Sequence, residues 1–245
     1  FMATSCCPAW AMMAKKEFPG MAPYISMTMT PMVLTARLMK RKDPNCRVAF
    51  IGPCAAKKLE ASRRSVRSEV DFVLTFEEMS GIFDARQVDV SALEEDPDGV
   101  SDASVDGRNF AVSGGVAKSV ENVIREKYPD REIKIANAEG LKECRKLLTM
   151  AKAGKYNGYL LEGMACPGGC VTGGGQPICS AKTWMTTDVK AERAKALYAE
   201  DKNASVRQSH KNPDIDMLYK EYFEKPGSHK AHELLHTTYT KRSKF

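Results

Sequence analysis

Tyr159-Leu160-Leu161-Glu162-Gly163-Met164-Ala165-Cys166-Pro167-Gly168-Gly169-Cys170-Val171-Thr172-Gly173-Gly174-Gly175-Gln176-Pro177 is the stretch that decides how this chain folds. It opens with a short apolar run of strand type and continues as a loop. Cys166 and Cys170 flank Pro167, Gly168 and Gly169. That insert resists regular helix, because proline cannot donate and glycine permits unusual dihedrals. The run Gly173 to Gly175 has no side chains, so its backbone can approach a bulky group closely. A strand feeding such a loop fits a parallel α/β fold, which places its ligands beyond the carboxyl ends of the strands.

The same pattern recurs upstream. Arg47-Val48-Ala49-Phe50-Ile51 reads as a strand that leads into Gly52-Pro53-Cys54-Ala55-Ala56-Lys57-Lys58-Leu59-Glu60. Phe72 to Phe76 is a second strand-like run before an acidic helix start at Glu77-Glu78. Asn109 to Val112 and Glu132 to Ala136 are two more. Between them lie helical patterns, one with Val116, Val120, Val123 and Ile124 on one face, the next with Leu141, Cys144, Leu147, Leu148 and Ala151. Strand and helix alternate as in an α/β fold with parallel sheets. The acidic and serine-rich stretch 90–107 reads as a solvated loop, and a seam is expected near residues 201–213.

A third cysteine motif, Thr4-Ser5-Cys6-Cys7-Pro8-Ala9-Trp10, stands at the start. A cubane iron–sulfur cluster needs four thiolates, and Cys7, Cys54, Cys166 and Cys170 supply four if the three segments converge. Adjacent residues cannot easily both ligate one cubane, so one of Cys6 and Cys7 is free to face elsewhere. The chain has eight cysteines, an even number that a disulfide framework would also show. Against that, 245 residues are enough to build a core without staples, and Phe1 to Trp10 has no basic flank of a secretory signal. Zinc knuckles usually come as paired Cys-x2-Cys units, which are absent here. A metal cluster in a reducing cytoplasm is the expectation.

Composition excludes little else. The net charge of +6 is modest for this length and gives no support to nucleic-acid binding. No apolar run is long enough for a membrane span, so no membrane partner is expected. Ser113-Gly114-Gly115 before a helix has the form of a phosphate cradle, but a close helix–strand turn explains it as well. His229, His232 and His236 share helical spacing and read as packed or solvated side chains. Cys46 and Cys179 read as plain thiols, and Cys144 as a core residue.

Together the three motifs resemble those of the iron-only (FeFe) hydrogenases. The resemblance implies a 4Fe–4S cubane held by Cys7, Cys54, Cys166 and Cys170. It also implies a two-iron subcluster carrying CO, cyanide and azadithiolate, bridged to the cubane through Cys170. Cys6 then matches the non-ligating cysteine that relays a proton. Lys57 matches the lysine that donates to cyanide, and Met164 the methionine beside the two irons. Ser26 and Glu60 match residues of the proton path and of the closing of the second motif. A thiol with a pKa near 8.5 is a workable relay, and a lysine suits an anionic cluster as a charged donor.

From the family follow the remaining expectations. The fold is α/β, with twisted parallel sheets flanked by helices, the cluster between lobes and a helical C-terminal wrap. Residues 1–200 form the partial catalytic domain and 201–245 a small-subunit-like region. Substrates are protons and H2. Partners are ferredoxin or a similar carrier, and H-cluster maturation proteins. The family usually has Met before Pro-Cys in the second motif, where Gly52 stands here, and a hydroxyl residue where Ala56 stands. These departures resemble a divergent branch. The first motif lies at the start of a chain that opens with Phe1, so an N-terminal lobe segment is expected to be missing. The alternatives are a non-catalytic iron–sulfur protein of the same fold, as in cluster assembly or nuclear factors, or an H2 sensor.

Overall fold

The computed structural model describes residues 1–94 and 103–237. Five strands carry the fold: β1 (Met2–Ala3), β2 (Ala49–Gly52), β3 (Phe72–Thr75), β4 (Lys134–Glu139) and β5 (Tyr159–Met164). They form two sheets, ordered β1-β5-β4 and β2-β3, with every pairing parallel. The helices are α1 (Pro8–Glu17), α2 (Pro31–Lys42), α3 (Ala56–Ala61), α4 (Phe76–Ala85), α5 (Val105–Asn109), α6 (Gly115–Lys127), α7 (Leu141–Lys152), α8 (Ala181–Thr186), α9 (Val189–Asp201), α10 (Pro213–Leu218) and α11 (His229–Leu235). The α/β expectation holds.

Local chemistry accounts for the element ends. Pro8 opens α1, where its missing N–H costs nothing, and Lys15 and Lys16 face the negative end of the helix dipole. Thr75 and Glu78 close a reciprocal capping box at the start of α4. β5 is the middle strand of its sheet, and its residues Leu161 to Met164 are all buried. A central parallel strand covered on both faces reads as a nearly continuous apolar run.

One correction concerns Asn109 to Val112, expected as a strand. Residues 105–109 are helical instead, because Ser104 accepts the Gly107 N–H as an N-cap, and the chain then turns through 110–114. The helical start also shortens the loop expected over 90–107, of which residues 95–102 lie outside the described residues. On α6 only Val116 of the expected face is fully buried, and Val120 is exposed.

The main core lies where α1 and α7 pack on the β1-β5-β4 sheet, with Trp10, Cys144, Leu147, Leu148 and Leu161 at its centre. A second core gathers α2 with Val48, Val66 and Val70 near the β2-β3 sheet. A third joins Phe223, Ala231 and Leu234. The C-terminal segment lies against residues 27–29, where the Thr237 N–H donates to Met27 O at 2.8 Å and the Met29 N–H to Leu235 O at 2.8 Å.

Trp10 links the first motif to the third. Its indole N–H donates to Thr4 O at 3.0 Å, and its ring lies so close to Gly163 that a Cβ there would stand 2.2–2.5 Å from ring atoms. Gly163→Ala is therefore expected to overpack this contact and destabilise the apoprotein by about 3 kcal/mol. Urea unfolding followed by circular dichroism measures it, and a loss near zero would disprove the contact.

Candidate iron–sulfur site

Each cysteine motif leaves the carboxyl end of a parallel strand: the first follows β1, the second β2 and the third β5. β1 and β5 belong to one sheet and β2 to the other, so the motifs meet between the two. The junction is made by backbone. The Gly175 N–H donates to Pro53 O at 3.0 Å, and a Cβ on Gly173 would stand 2.1 Å from the same oxygen. Only glycine permits that approach.

Cys6, Cys7, Cys54, Cys166 and Cys170 are all free thiols with half-buried side chains. Burial is the main force raising Cys6, to about 12, with Glu162, Cys7 and Cys170 adding repulsion and Lys57 opposing it. Cys170 is pushed up to about 12 by burial, then by Cys7 and Cys54, again against Lys57. Burial raises Cys7 and Cys166 too, while backbone N–H groups of Ala165, Trp10 and Ala9 favour the Cys7 thiolate and that of Gly174 the Cys166 thiolate. The four ligand candidates and Cys6 thus lie within electrostatic reach of one another.

This donor set fits an iron–sulfur cluster. Crowded thiols that oppose one another's ionisation are satisfied by a cationic iron core, which holds them as thiolates. N–H donors aimed at the sulfurs are the groups that tune such clusters. The Thr4 hydroxyl, buried beside the first cysteine pair, has no protein partner among the described residues.

The remaining candidates sort by position. Lys57 and Glu60 form a buried ion pair at 3.2 Å, with Nζ also 5.5 Å from the centre of the Phe50 ring. Met164 ends β5 and is buried; its carbonyl accepts from the Gly140 N–H at 2.8 Å and from Cys144 Sγ at 3.5 Å. Ser26 lies beside β1, where its N–H donates to Ala3 O at 2.8 Å. Its hydroxyl donates to Thr28 Oγ1 at 3.0 Å and accepts the Thr28 N–H at 3.2 Å. The link back to the motif runs through Thr28, whose carbonyl accepts from Ser5 Oγ at 2.9 Å.

Sequence reasoning left Glu162 without a role. It is fully buried, and its two oxygens accept from the Gly114 N–H at 2.7 Å and the Ala117 N–H at 2.6 Å, at the start of α6. Burial raises its pKa and those bonds oppose the rise. A carboxylate thus fills the helix N-terminus that had the form of a phosphate cradle. The signal was a lone acidic residue inside an apolar strand run.

Fold and site together define an α/β protein whose three cysteine-bearing loops follow the carboxyl ends of strands in two parallel sheets. Residues 1–174 match the C-terminal domain of the iron-only hydrogenase large subunit, and residues 187–242 match the iron hydrogenase small subunit. The chain belongs to the iron-only hydrogenase family. It is 29% identical to iron hydrogenase 1 of Clostridium pasteurianum, over 98% of this chain and 49% of that protein. It is 31% identical to the NADP-reducing hydrogenase subunit HndD of Solidesulfovibrio fructosivorans, over 98% and 47%. Protein NAR1 of Arabidopsis thaliana is 26% identical over 96% and 60%. The chain thus spans about half the length of the hydrogenases it matches. Among solved structures, an apo [FeFe]-hydrogenase HydA1 variant of Chlamydomonas reinhardtii superposes with a TM-score of 0.79 at 28% identity, covering 98% of this chain and 76% of that one. Iron–sulfur cluster binding is the property the family supports.

Glu162→Ala would leave two helix N-terminal donors buried without an acceptor, at about 1–3 kcal/mol for each such group. Apoprotein stability in urea is expected to fall by about 3 kcal/mol, with Glu162→Gln recovering part of the loss. An unchanged midpoint for Glu162→Ala would refute the capping role.

Proposed function

We propose that this chain is the H-cluster-holding part of an [FeFe]-hydrogenase, catalysing 2 H⁺ + 2 e⁻ ⇌ H2. The observation that supports this is that the loops carrying Cys54 and Cys170 meet, backbone on backbone, at Pro53 and Gly173–Gly175, with the first motif leaving the neighbouring strand of the same sheet as the third. Cys7, Cys54, Cys166 and Cys170 would hold a 4Fe–4S cubane, with Cys170 bridging to the two-iron subcluster. When bound, that group supplies electron transfer and the centre at which protons and electrons combine; the protein supplies orientation and electrostatics.

The chain's own residues divide the rest. Cys6, kept as a thiol by its surroundings, gives and takes a proton at Sγ. Lys57, held by Glu60, donates toward anionic ligands from a dry position. Met164, buried at the end of β5, would lie beside the group when it is bound. Ser26 would serve further out on the proton path, a role supported only by its segment lying against the first motif. The expected units are residues 1–200 for the catalytic part and 201–245 for the small-subunit-like wrap, although the match to the small subunit begins earlier, at residue 187. Electron exchange with ferredoxin or a similar carrier, and loading by H-cluster maturation proteins, complete the proposal. Among the described residues no helix is long and apolar enough to cross a membrane. A reducing, cytoplasmic setting is part of the proposal, as expected from the sequence.

The non-catalytic reading draws on the likeness to Protein NAR1. The hydrogenase reading is favoured over it by Cys6, a half-buried thiol next to a ligand candidate with no use in plain cluster binding. Reconstitution of the full-length protein with a synthetic two-iron cofactor is expected to give carbonyl and cyanide infrared bands and H2 turnover. Cys6→Ala should keep the bands and lose turnover by at least about 100-fold, as expected of a general acid–base group. Absence of the bands in the wild type would sink the hydrogenase reading.

A further inference from the structure

Helix α9 lies within the region that matches the small subunit, yet its first turn packs on the third cysteine loop. Lys190 and Arg193 stand three residues apart and so share one helix face. Lys190 Nζ pairs with Glu139 Oε1 at 3.0 Å, while Glu139 Oε2 accepts the Gly168 N–H at 2.8 Å. The lysine stem lies against the loop, since a Cβ on Gly168 would stand 2.6–2.8 Å from its methylenes. Arg193 holds the chain that follows Cys170. Its Nη1 donates to Val171 O at 3.1 Å and its Nη2 to Pro177 O at 2.9 Å, with Cys179 Sγ 3.5 Å away.

The opposite face of the loop is held by backbone. The Ser113 N–H donates to Gly168 O at 3.0 Å, and the Val171 N–H to Ala111 O at 3.2 Å. Cys170 is thus carried on a loop gripped before and after by two cations on one side and by a turn on the other. The Lys190–Glu139 pair is half-exposed and so adds little to global stability. Its geometric effect is local, because Glu139 fixes an N–H between the two cysteines.

We infer that Lys190 and Arg193 are positioning residues for the Cys170 loop, setting how firmly it retains an iron–sulfur cluster and at what potential. The inference rests on the iron–sulfur reading of the site. Groups that orient metal ligands tune affinity strongly, and nearby charge shifts a cluster's potential. Arginine does so with a planar fork that lysine lacks.

The test uses the full-length protein carrying Arg193→Gln, Arg193→Lys or Lys190→Gln, reconstituted with iron and sulfide. Iron release to a chelator and the midpoint potential, followed by electron paramagnetic resonance, are the readouts. Arg193→Gln is expected to release iron about tenfold faster and to shift the potential negative. Arg193→Lys should restore the potential, because the charge remains, but not the retention, because the fork is lost. Lys190→Gln should shift both in the same direction as Arg193→Gln, and it carries the test if that variant fails to fold. Release rates and potentials within about twofold and within error of wild type would overturn the inference. Failure of the wild type to take up a cubane would overturn the iron–sulfur reading and this inference with it.

Discussion

The close approach of the Gly173–Gly175 backbone to Pro53 is the constraint on which the rest of the site depends. Two cysteine loops leave paired strands of one sheet and the third leaves the other sheet, and no strand pairing joins the two sheets. The hydrogen bond from Gly175 to Pro53 does so, and it forms because no side chain stands between the two backbones. The contact also reaches the second sheet's flanking helix. The Glu77 N–H donates to Gly175 O at 3.1 Å, and the Glu77 carboxylate accepts the Ile178 N–H at 2.8 Å. One glycine run therefore fixes both the gap between the sheets and the start of α4.

A second buried element works beneath the loops. Glu162 costs desolvation free energy in the core, offset by the N–H groups at the positive end of α6. It ties the central strand to a helix, and so holds steady the end of β5 from which Cys166 and Cys170 depart. It also lies close enough to Cys6 to oppose ionisation of that thiol.

The cysteine motifs were legible in the sequence because thiols, prolines and glycines are rare enough to stand out and their order along the chain is distinctive. The strands that feed the second and third motifs were legible as apolar runs, and both occur where expected. β1 was not, since two residues carry no periodicity. Asn109 to Val112 misled for the opposite reason: its apolar residues face a turn, and the N-cap at Ser104 had already begun a helix. Lys190 and Arg193 had no signal at all. Each is an ordinary charge on an amphipathic helix, and its contact with the loop exists only once residues far apart in sequence are folded together.

Ligand geometry by itself does not separate a hydrogenase from a plain cluster carrier, because any cubane needs the same four thiolates. The separation lies in groups that do not ligate. Lys57 and Glu60 are an ion pair with side chains only 13% and 6% exposed, and such pairs contribute little to stability once desolvation is counted. A half-buried free thiol beside a candidate ligand has no hydrogen-bond or packing role that requires cysteine. Features that break the usual rules of core building without a structural return are expected at functional sites. Both exceptions here lie within reach of the same thiols, and on the proposed function a catalytic centre would account for the placement of Cys6 and Lys57.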